Sequence, residues 1–238
     1  MIDLHCHMLP SIDDGPKTIS QSVAMARHAV SHGILFCVVT PHIHTGWYDN
    51  DCDSIRDSHQ AFQQALADEG IALLVGMAAE VRVDGHLPGL IEASKIPFIG
   101  TWDGKRALLI EFPHDHLPAG SEVLVRWLLD RDILPVIAHP ERNRAIVRQP
   151  GKLDPFVELG CLLQITAGSL TGLFGPDVRQ CAVFLVLQGL VTFMASDAHN
   201  LEKRTPNLLP ALDCLQALIG KDKASELVNS NPRKLLGQ

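Results

Sequence analysis

Short runs of apolar residues alternate along the chain with longer stretches in which apolar positions recur every three or four residues. The short runs lack regular alternation with polar residues, which is typical of strands buried on both faces of a parallel sheet. They predict seven strands: Ile2–His5, Ile34–Thr40, Ile71–Gly76, Ala107–Glu111, Leu134–Ala138, Cys161–Thr166 and Leu190–Ala195. Most of the segments between these runs predict helices.

The helical segments have the spacing of amphipathic helices. In the first, Ile19, Val23, Ala26 and Val30 fall on one face, and Thr18 precedes them as a candidate N-cap. The other predicted helices are Asp53–Asp68, Glu122–Leu129, Asp177–Gln188, Leu208–Ile219 and Ala224–Asn229. Strands joined by crossover helices without a linker predict an α/β barrel of seven strands, formed by a single domain over residues 1–238.

Composition and charge narrow the class of protein. The 238 residues are 46% hydrophobic, enough for a large core, and no uninterrupted apolar run of the length of a membrane span occurs. The net charge of −7 argues against a nucleic-acid partner. The first residues lack the basic start and apolar core of a signal peptide. Because the six cysteines contain no C-x-x-C pair, we expect free thiols and a cytoplasmic location.

Histidines and carboxylates follow the predicted carboxyl ends of the strands, where barrels of this kind carry their active sites. Nine residues share this placement: His5, His7, Asp14, His42, Glu80, Glu111, His139, Asp197 and His199. Cations are needed where so many such groups converge, because an unpaired buried carboxylate is costly. Imidazole and carboxylate without thiolate suit Mn, Fe or Zn, and nine ligands exceed the capacity of one ion. The sequence predicts a centre of two or three ions.

Other residues are given other roles. His28, His32 and His59 are predicted to lie on helix surfaces, whereas His44 is a candidate substrate contact. None of the cysteines belongs to a Cys-x5-Arg motif, which cysteine phosphatases require. The segment 100–105 is one residue short of a P-loop and predicts a turn before the fourth strand.

The motifs as a set resemble a known family over essentially the whole chain. They are His5-Cys-His7, Asp14-Gly, Thr40-Pro-His42, Glu80, Glu111, His139-Pro-Glu-Arg142 and Ser196-Asp-Ala-His199. This set is similar to that of the polymerase-and-histidinol-phosphatase (PHP) superfamily. Within it, the chain resembles the bacterial manganese-dependent protein-tyrosine phosphatases of capsule and exopolysaccharide operons. The resemblance implies a distorted (β/α)7 TIM-like barrel.

The resemblance also implies a centre of three Mn ions, although Fe, Zn or Mg remain open. The first ion would be held by His5, His7, Glu80 and Asp197. The second would share Glu80 and add Glu111 and His139. The third would be held by Asp14, His42 and His199. Arg142 and Arg204 match the catalytic, phosphate-binding arginines of the family.

The implied function is a phosphomonoester hydrolase in which a water activated by the cations attacks phosphorus. Its substrate would be phosphotyrosine on a bacterial tyrosine kinase that regulates capsule or exopolysaccharide synthesis. The loop after His42 lacks the basic residues frequent in this family, which leaves a small-molecule phosphatase, such as a histidinol phosphatase, as an alternative. A non-catalytic metal-binding scaffold is a second alternative. Assembly into a homo-oligomer also stays open.

Overall fold

Ten strands form the framework of the protein, which a computed structural model describes over residues 1–238. In chain order they are β1 (Ile2–Cys6), β2 (Phe36–Val39), β3 (His42–Ile43), β4 (Leu74–Met77), β5 (Glu80–Arg82), β6 (Gly100–Trp102), β7 (Lys105–Glu111), β8 (Ile133–Ala138), β9 (Leu162–Thr166) and β10 (Phe193–Ala195). Each of the seven predicted strands is present, with ends that differ by no more than three residues.

Helices occupy most connections. They are α1 (Ile19–Ser31), α2 (Cys52–Asp68), α3 (Leu87–Glu92), α4 (Ser121–Leu129), α5 (Arg144–Arg148), α6 (Asp154–Glu158), α7 (Ala167–Leu170), α8 (Pro176–Leu187), α9 (Leu209–Ile219), α10 (Lys221–Ser225) and α11 (Asn231–Leu236). Short 3-10 turns cover Pro140–Arg142 and Pro150–Leu153, and a π turn covers Glu226–Ser230. The predicted N-cap is confirmed, because the Thr18 side chain accepts a hydrogen bond from the backbone N–H of Gln21.

The strands form a barrel of seven staves. One sheet has the order β1-β2-β4 and the other the order β10-β9-β8-β7-β5-β3, with parallel pairing throughout both. Strands β2 and β3 are halves of one stave, and β4 and β5 are halves of the next. A parallel bridge between Cys6 and Ala198 joins the first stave to the last. The predicted (β/α)7 barrel is therefore confirmed.

Two staves are broken near their carboxyl ends, which distorts the barrel. Thr40 and Pro41 interrupt the first broken stave, and Pro41 has no N–H to donate to a ladder. Ala78 and Ala79 interrupt the second. Backbone bonds still connect the two breaks, because the N–H of Glu80 donates to the carbonyl of Pro41 at 3.2 Å. The short strands β3 and β5 begin directly after these breaks, and the first residue of each is polar.

Apolar packing surrounds this framework on both sides of the strands. One core cluster is drawn almost wholly from strands and includes Leu4, Val38, Leu109, Val136 and Phe193. A larger cluster joins the strands to the helices around them. This packing fixes the strand ends, and with them the polar side chains that follow.

Several local predictions can be compared with the structure. Gly100–Trp102 pairs antiparallel with the start of β7, so the predicted turn is present. All six cysteines are free. His59 is buried and its Nε2 lies 3.0 Å from the carbonyl of Val75, so its predicted place on the helix surface is wrong. The apolar face of α2 packs inward and draws His59 with it. None of the helices has the length and apolar character needed to cross a bilayer.

The last predicted helix, Ala224–Asn229, is also described differently by the structure. That segment falls in a longer helical stretch made of α10, the π turn and α11. The change of helical period allows Leu227, Val228 and Leu235 all to be buried. A single α-helical period fitted to the sequence cannot anticipate this, because a π turn shifts the buried face.

Candidate metal centre

The carboxyl ends of the staves bring the nine predicted residues to one end of the barrel. His5 lies in β1, His42 begins β3, Glu80 begins β5 and Glu111 ends β7. The register of the sheet pairs His42 directly with Glu80. The remaining five residues, His7, Asp14, His139, Asp197 and His199, follow β1, β8 and β10 in the adjoining loops.

A first group of atoms surrounds a single point. The Nε2 atoms of His5 and His7 lie 3.2 Å apart, and each lies 3.3 Å from Oε2 of Glu80. Asp197 Oδ1 is 3.4 Å from the first nitrogen and 3.5 Å from the second. Ligand atoms held about 2.1 Å from one ion lie about 3 to 3.5 Å from one another. The spacing of these four atoms is therefore that of a coordination shell.

A second group adjoins the first. Oδ1 of Asp14 lies 3.2 Å from Nε2 of His199 and 3.5 Å from Nε2 of His42. His7 also places a ring nitrogen within reach of this group. The other ring nitrogen of His42, Nδ1, lies 3.1 Å from Oε2 of Glu80. One imidazole therefore spans the second group and Glu80.

The third group is centred on Glu80 as well. Its Oε1 atom lies 2.6 Å from Nε2 of His139, and Oε1 of Glu111 lies 4.0 Å from the same nitrogen. His42, Glu80 and Glu111 also offer atoms within 4.8 Å of one another. Glu80 thus contacts every group, which is the geometry of a bridging carboxylate.

Buried atoms without hydrogen-bond partners test whether these residues fit metal ions. Four such atoms belong to the centre: Oε2 of Glu80, Oε2 of Glu111, Oδ1 of Asp197 and Nε2 of His199. An unpaired buried polar atom is costly, and an unpaired charge more so. A divalent cation satisfies carboxylate oxygens and imidazole nitrogens together. The donor set present therefore fits a multinuclear metal site.

A second layer of residues orients the imidazoles. Three contacts to ring Nδ1 atoms are present: His5 to Gln164 Oε1 at 2.8 Å, His7 to Asp13 Oδ2 at 2.6 Å, and His199 to the carbonyl of Asp197 at 2.9 Å. When Nδ1–H donates to such an acceptor, Nε2 is left with its lone pair toward the centre. Gln164 and Asp13 received no such role from the sequence, because nothing in their local pattern points to a histidine.

Both predicted arginines lie against Asp197. The guanidinium groups of Arg142 and Arg204 contact its Oδ2 atom, whereas Oδ1 faces His5 and His7. Burial alone would raise the pKa of this carboxyl, but the charge of Arg204 and its other cationic neighbours hold the pKa well below its usual range. Asp197 therefore stays a carboxylate that connects the arginines to the histidines.

Burial and neighbouring charges also shift the pKa values of other groups in the centre. Burial, and then the negative charge of Glu80, raise the pKa of Glu111 to about 8. Burial lowers the pKa of His42 to about 4, and burial together with Arg142 lowers the pKa of His139 to about 3. Neutral imidazole is the form that binds metals. The lowered pKa values of His42 and His139 thus favour lone-pair donors. Against the effect of burial, the carboxylates of Glu80 and Asp13 raise the pKa of His5 and His7, respectively.

The backbone is strained at two of the nine residues. His139 has φ 31° and Asp197 has φ 53°, both in the left-handed region that residues with a side chain seldom adopt. Such conformations persist where the surrounding structure imposes them, commonly at functional sites. Here His139 directly follows β8, and Asp197 lies two residues after the end of β10. The side chains of both residues contact other members of the centre.

His44, the predicted substrate contact, lies two residues after His42. His44 stands in a short hairpin after β3, where its ring is stacked with that of Trp47 at 5.9 Å between centroids. Trp47 is one of the most exposed apolar residues in the chain. His28 lies in α1 and His32 caps its carboxyl end, and neither is among the groups of ligand atoms.

The chain has similarity to known proteins over nearly its full length. The family model for capsular polysaccharide synthesis proteins CpsB/CapC matches residues 1–237. The tyrosine-protein phosphatase YwqE of Bacillus subtilis is 40% identical over 222 residues, which cover 93% of this chain and 86% of the relative. The tyrosine-protein phosphatase CpsB of Streptococcus pneumoniae is 28% identical, with 99% and 98% covered.

Solved structures give a consistent result. A chain from the crystal structures of YwqE from Bacillus subtilis and CpsB from Streptococcus pneumoniae, described as metal-dependent tyrosine phosphatases, superposes with a TM-score of 0.91. It is 37% identical, with 99% of this chain and 94% of that chain covered. A variant organophosphorus hydrolase from Deinococcus radiodurans is 13% identical with a TM-score of 0.58, which shows a shared fold. The chain belongs to the CpsB/CapC family of capsular polysaccharide synthesis proteins.

Proposed function

We propose that this protein is a metal-dependent phosphotyrosine-protein phosphatase, built as one catalytic domain over residues 1–238. Its substrate is a bacterial tyrosine kinase that regulates capsule or exopolysaccharide synthesis. The observation that carries the proposal is the convergence of nine imidazoles and carboxylates, four of whose buried atoms lack hydrogen-bond partners. Membership of the CpsB/CapC family supports the substrate class.

Three Mn ions fit the three groups of ligand atoms. His5, His7, Glu80 and Asp197 would hold one ion, Asp14, His42 and His199 another, and Glu80, Glu111 and His139 a third. Such ions polarise phosphoryl oxygens and lower the pKa of water toward neutrality. Glu80 is positioned to bridge because one oxygen faces His5 and His7 and the other faces His139.

Local charge attracts the substrate although the whole chain is acidic. Three divalent cations carry more positive charge than the four carboxylates neutralise, and Arg142 and Arg204 add to this excess. The net charge of −7 belongs to the whole surface, and screening limits the reach of distant charges to about 10 Å at 0.1 M salt. A phosphate dianion is therefore drawn to the mouth of the barrel.

The two arginines bind and orient the phosphoryl group. Asp197 anchors one side of each guanidinium through Oδ2, which leaves further N–H donors for phosphoryl oxygens. Nε of Arg204 is buried without a partner, so one donor is already desolvated. Donors held in place before the reaction stabilise charge that develops on the equatorial oxygens during the transfer.

An aryl ester suits this centre better than an alkyl ester. The phenolate that leaves has a pKa of about 10, so it departs with less help from a proton donor than an alkoxide. No covalent intermediate on the protein is needed. The cysteines play no part in this scheme, since burial raises the pKa of Cys161 and Cys181 to about 12.

The test compares substrates on metal-loaded protein. We expect turnover of phosphotyrosine peptides and of the isolated kinase to exceed that of histidinol phosphate and sugar phosphates. Equal or faster turnover of a small metabolite contradicts the proposed substrate. His139→Ala should lose both a metal ion and activity, and if the wild type hydrolyses no aryl phosphate the chain is a metal-binding scaffold.

A further inference from the structure

A cavity of about 280 Å³ opens beside Arg204, between the loop that follows α7 and the segment that precedes α9. Leu173, Ala167 and Pro210 contribute apolar surface to it. Ser196 and Arg204 contribute its polar side.

We propose that this cavity receives the aromatic ring of the aryl phosphate and that Leu173 is its specificity-determining wall. This inference rests on the proposed function, because it assigns a place to the leaving group of that reaction. A single aromatic ring is smaller than a drug-sized ligand, for which pockets of roughly 300 to 1,000 Å³ are typical. The volume of about 280 Å³ is therefore sufficient.

The cavity lies next to Asp197, which joins it to the metal centre. Ser196 lines the cavity and directly precedes Asp197, and the guanidinium of Arg204 both lines the cavity and contacts Oδ2 of Asp197. A phosphoryl group held by Arg204 is thus at the entrance of the cavity. The ester oxygen would then join a phosphoryl group at the metal centre to an aromatic ring in the cavity.

The loop that forms the wall is tied to the other arginine. The guanidinium of Arg142 lies over the ring of Phe174, 4.6 Å from its centroid. The N–H of Leu173 donates to the carbonyl of Gly168 at 2.9 Å, and a Cβ atom at Gly168 would lie 2.9 Å from Cδ2 of Leu173. Glycine at this position therefore permits the close approach that sets the wall.

Charge distinguishes this cavity from its larger neighbour. A cavity of about 410 Å³ is lined in part by His199, and its charged lining consists of Asp14, Lys17 and Glu202. The charged residues of the proposed cavity are Lys203 and Arg204. Because Asp14 would bind a metal ion, the remaining charges of the larger cavity, Lys17 and Glu202, offset each other, whereas Lys203 and Arg204 of the smaller cavity attract an anionic ester. We therefore assign the ring to the smaller cavity.

Two leucines of nearly equal exposure supply a matched test. Leu173 is 44% exposed in the proposed cavity, and Leu201 is 43% exposed in the neighbouring one. Both substitutions to alanine remove apolar surface at exposed sites, so neither should unfold the protein. We expect Leu173→Ala to lower kcat/KM for an aryl phosphate by about tenfold and Leu201→Ala to leave it unchanged.

Binding of phosphonates separates the ring from the phosphoryl group. Calorimetry on Mn-loaded protein would compare phenylphosphonate with methylphosphonate. Leu173→Ala should weaken only phenylphosphonate, with metal content unchanged in both variants. The inference is overturned if Leu173→Ala affects both ligands equally or neither, or if Leu201→Ala alone weakens phenylphosphonate.

The two proposals fail in different ways. If wild-type protein hydrolyses no aryl phosphate, the proposed function fails, while selective loss of phenylphosphonate binding in Leu173→Ala still supports the cavity. If wild-type protein hydrolyses phosphotyrosine but Leu173→Ala is indistinguishable from Leu201→Ala, the cavity assignment fails and the phosphatase function stands.

Discussion

The Oδ2 atom of Asp13 lies 2.6 Å from Nδ1 of His7 and also accepts a hydrogen bond from the backbone N–H of His42 at 3.1 Å. This buried carboxylate therefore ties the end of β1 to the start of β3. It fixes the ring of one proposed ligand and the backbone of another without reaching the centre itself. Residues of this kind commonly change metal affinity by 10- to 100-fold when they are removed.

We predict that Asp13→Ala lowers the affinity for Mn by about 10- to 100-fold, because Nδ1 of His7 loses its acceptor. Asp13→Asn should lose less, since the amide oxygen can still accept from the imidazole. Titration of apoprotein with Mn, followed by calorimetry, measures the change. Asp68→Asn, which removes the same charge from the exposed end of α2, is the control. Unchanged affinity in Asp13→Ala would show that the contact is dispensable.

The arginines should act on phosphate and not on metal. We predict that Arg142→Ala and Arg204→Ala each raise the inhibition constant for inorganic phosphate and lower kcat/KM by about 100-fold, with metal content retained. Metal analysis and phosphate inhibition measure the two effects separately. Arg144→Ala is the matched control, because Arg144 is exposed and pairs with Asp115. Metal loss in Arg142→Ala would instead assign that residue a structural role through Asp197.

Stability should depend on pH through Glu141. Its Oε1 atom accepts hydrogen bonds from the N–H of Thr166 and the hydroxyl of Ser169, and burial raises the pKa of this carboxyl from 4.5 to about 7. Between these pH values the folded protein keeps a proton that the unfolded chain releases. The free energy of unfolding therefore decreases as the pH rises from about 4.5 to about 7.

Glu141→Gln keeps the accepting oxygen and removes the titration. We predict that the stability of this variant relative to wild type increases with pH over that interval, by on the order of 3 kcal/mol in total. Urea unfolding of metal-free protein at pH 5 and pH 8 measures the difference. Glu158→Gln, at an exposed carboxylate, should show no comparable trend. A constant difference between wild type and Glu141→Gln would contradict a raised pKa.

The half-buried cysteines should react with a thiol reagent in the folded protein, whereas the buried cysteines should not. Cys52 and Cys214 are half-buried, whereas the other four cysteines are buried. Burial raises the pKa of Cys6, Cys161 and Cys181, so these thiols carry little thiolate at pH 8. We predict that an aromatic disulfide reagent labels at most two thiols in the folded protein and all six in denaturant. Rapid labelling of a third thiol in the folded protein would contradict the described burial.

The sequence predicts the staves well because strands buried on both faces are nearly continuous apolar runs. It does not predict β3 and β5 beyond the breaks at Thr40-Pro41 and Ala78-Ala79, since these strands have only two and three residues and begin at polar residues. The short helices α5, α6 and α7 are missed for a related reason, as they are too short for a helical period to stand out. Tertiary packing decides these elements.

The sequence predicts the proposed metal ligands but not the residues that support them. The nine proposed ligands converge because each lies near or after the carboxyl end of a strand predicted from the sequence. Their supporting contacts, such as Gln164 to His5, join residues distant in the chain and leave no local signal. The positive φ angles at His139 and Asp197 are equally invisible, since neither residue is a glycine. These features depend on how the staves close.

Anomalous diffraction from crystals grown with Mn and phosphate, measured on both sides of the Mn absorption edge, tests the central claim most directly. We predict three Mn peaks among the side chains of the nine proposed ligands, with phosphate between the ions and the two arginines, Arg142 and Arg204. The absence of Mn peaks between His5, Glu80 and Asp197 at saturating Mn would contradict the account.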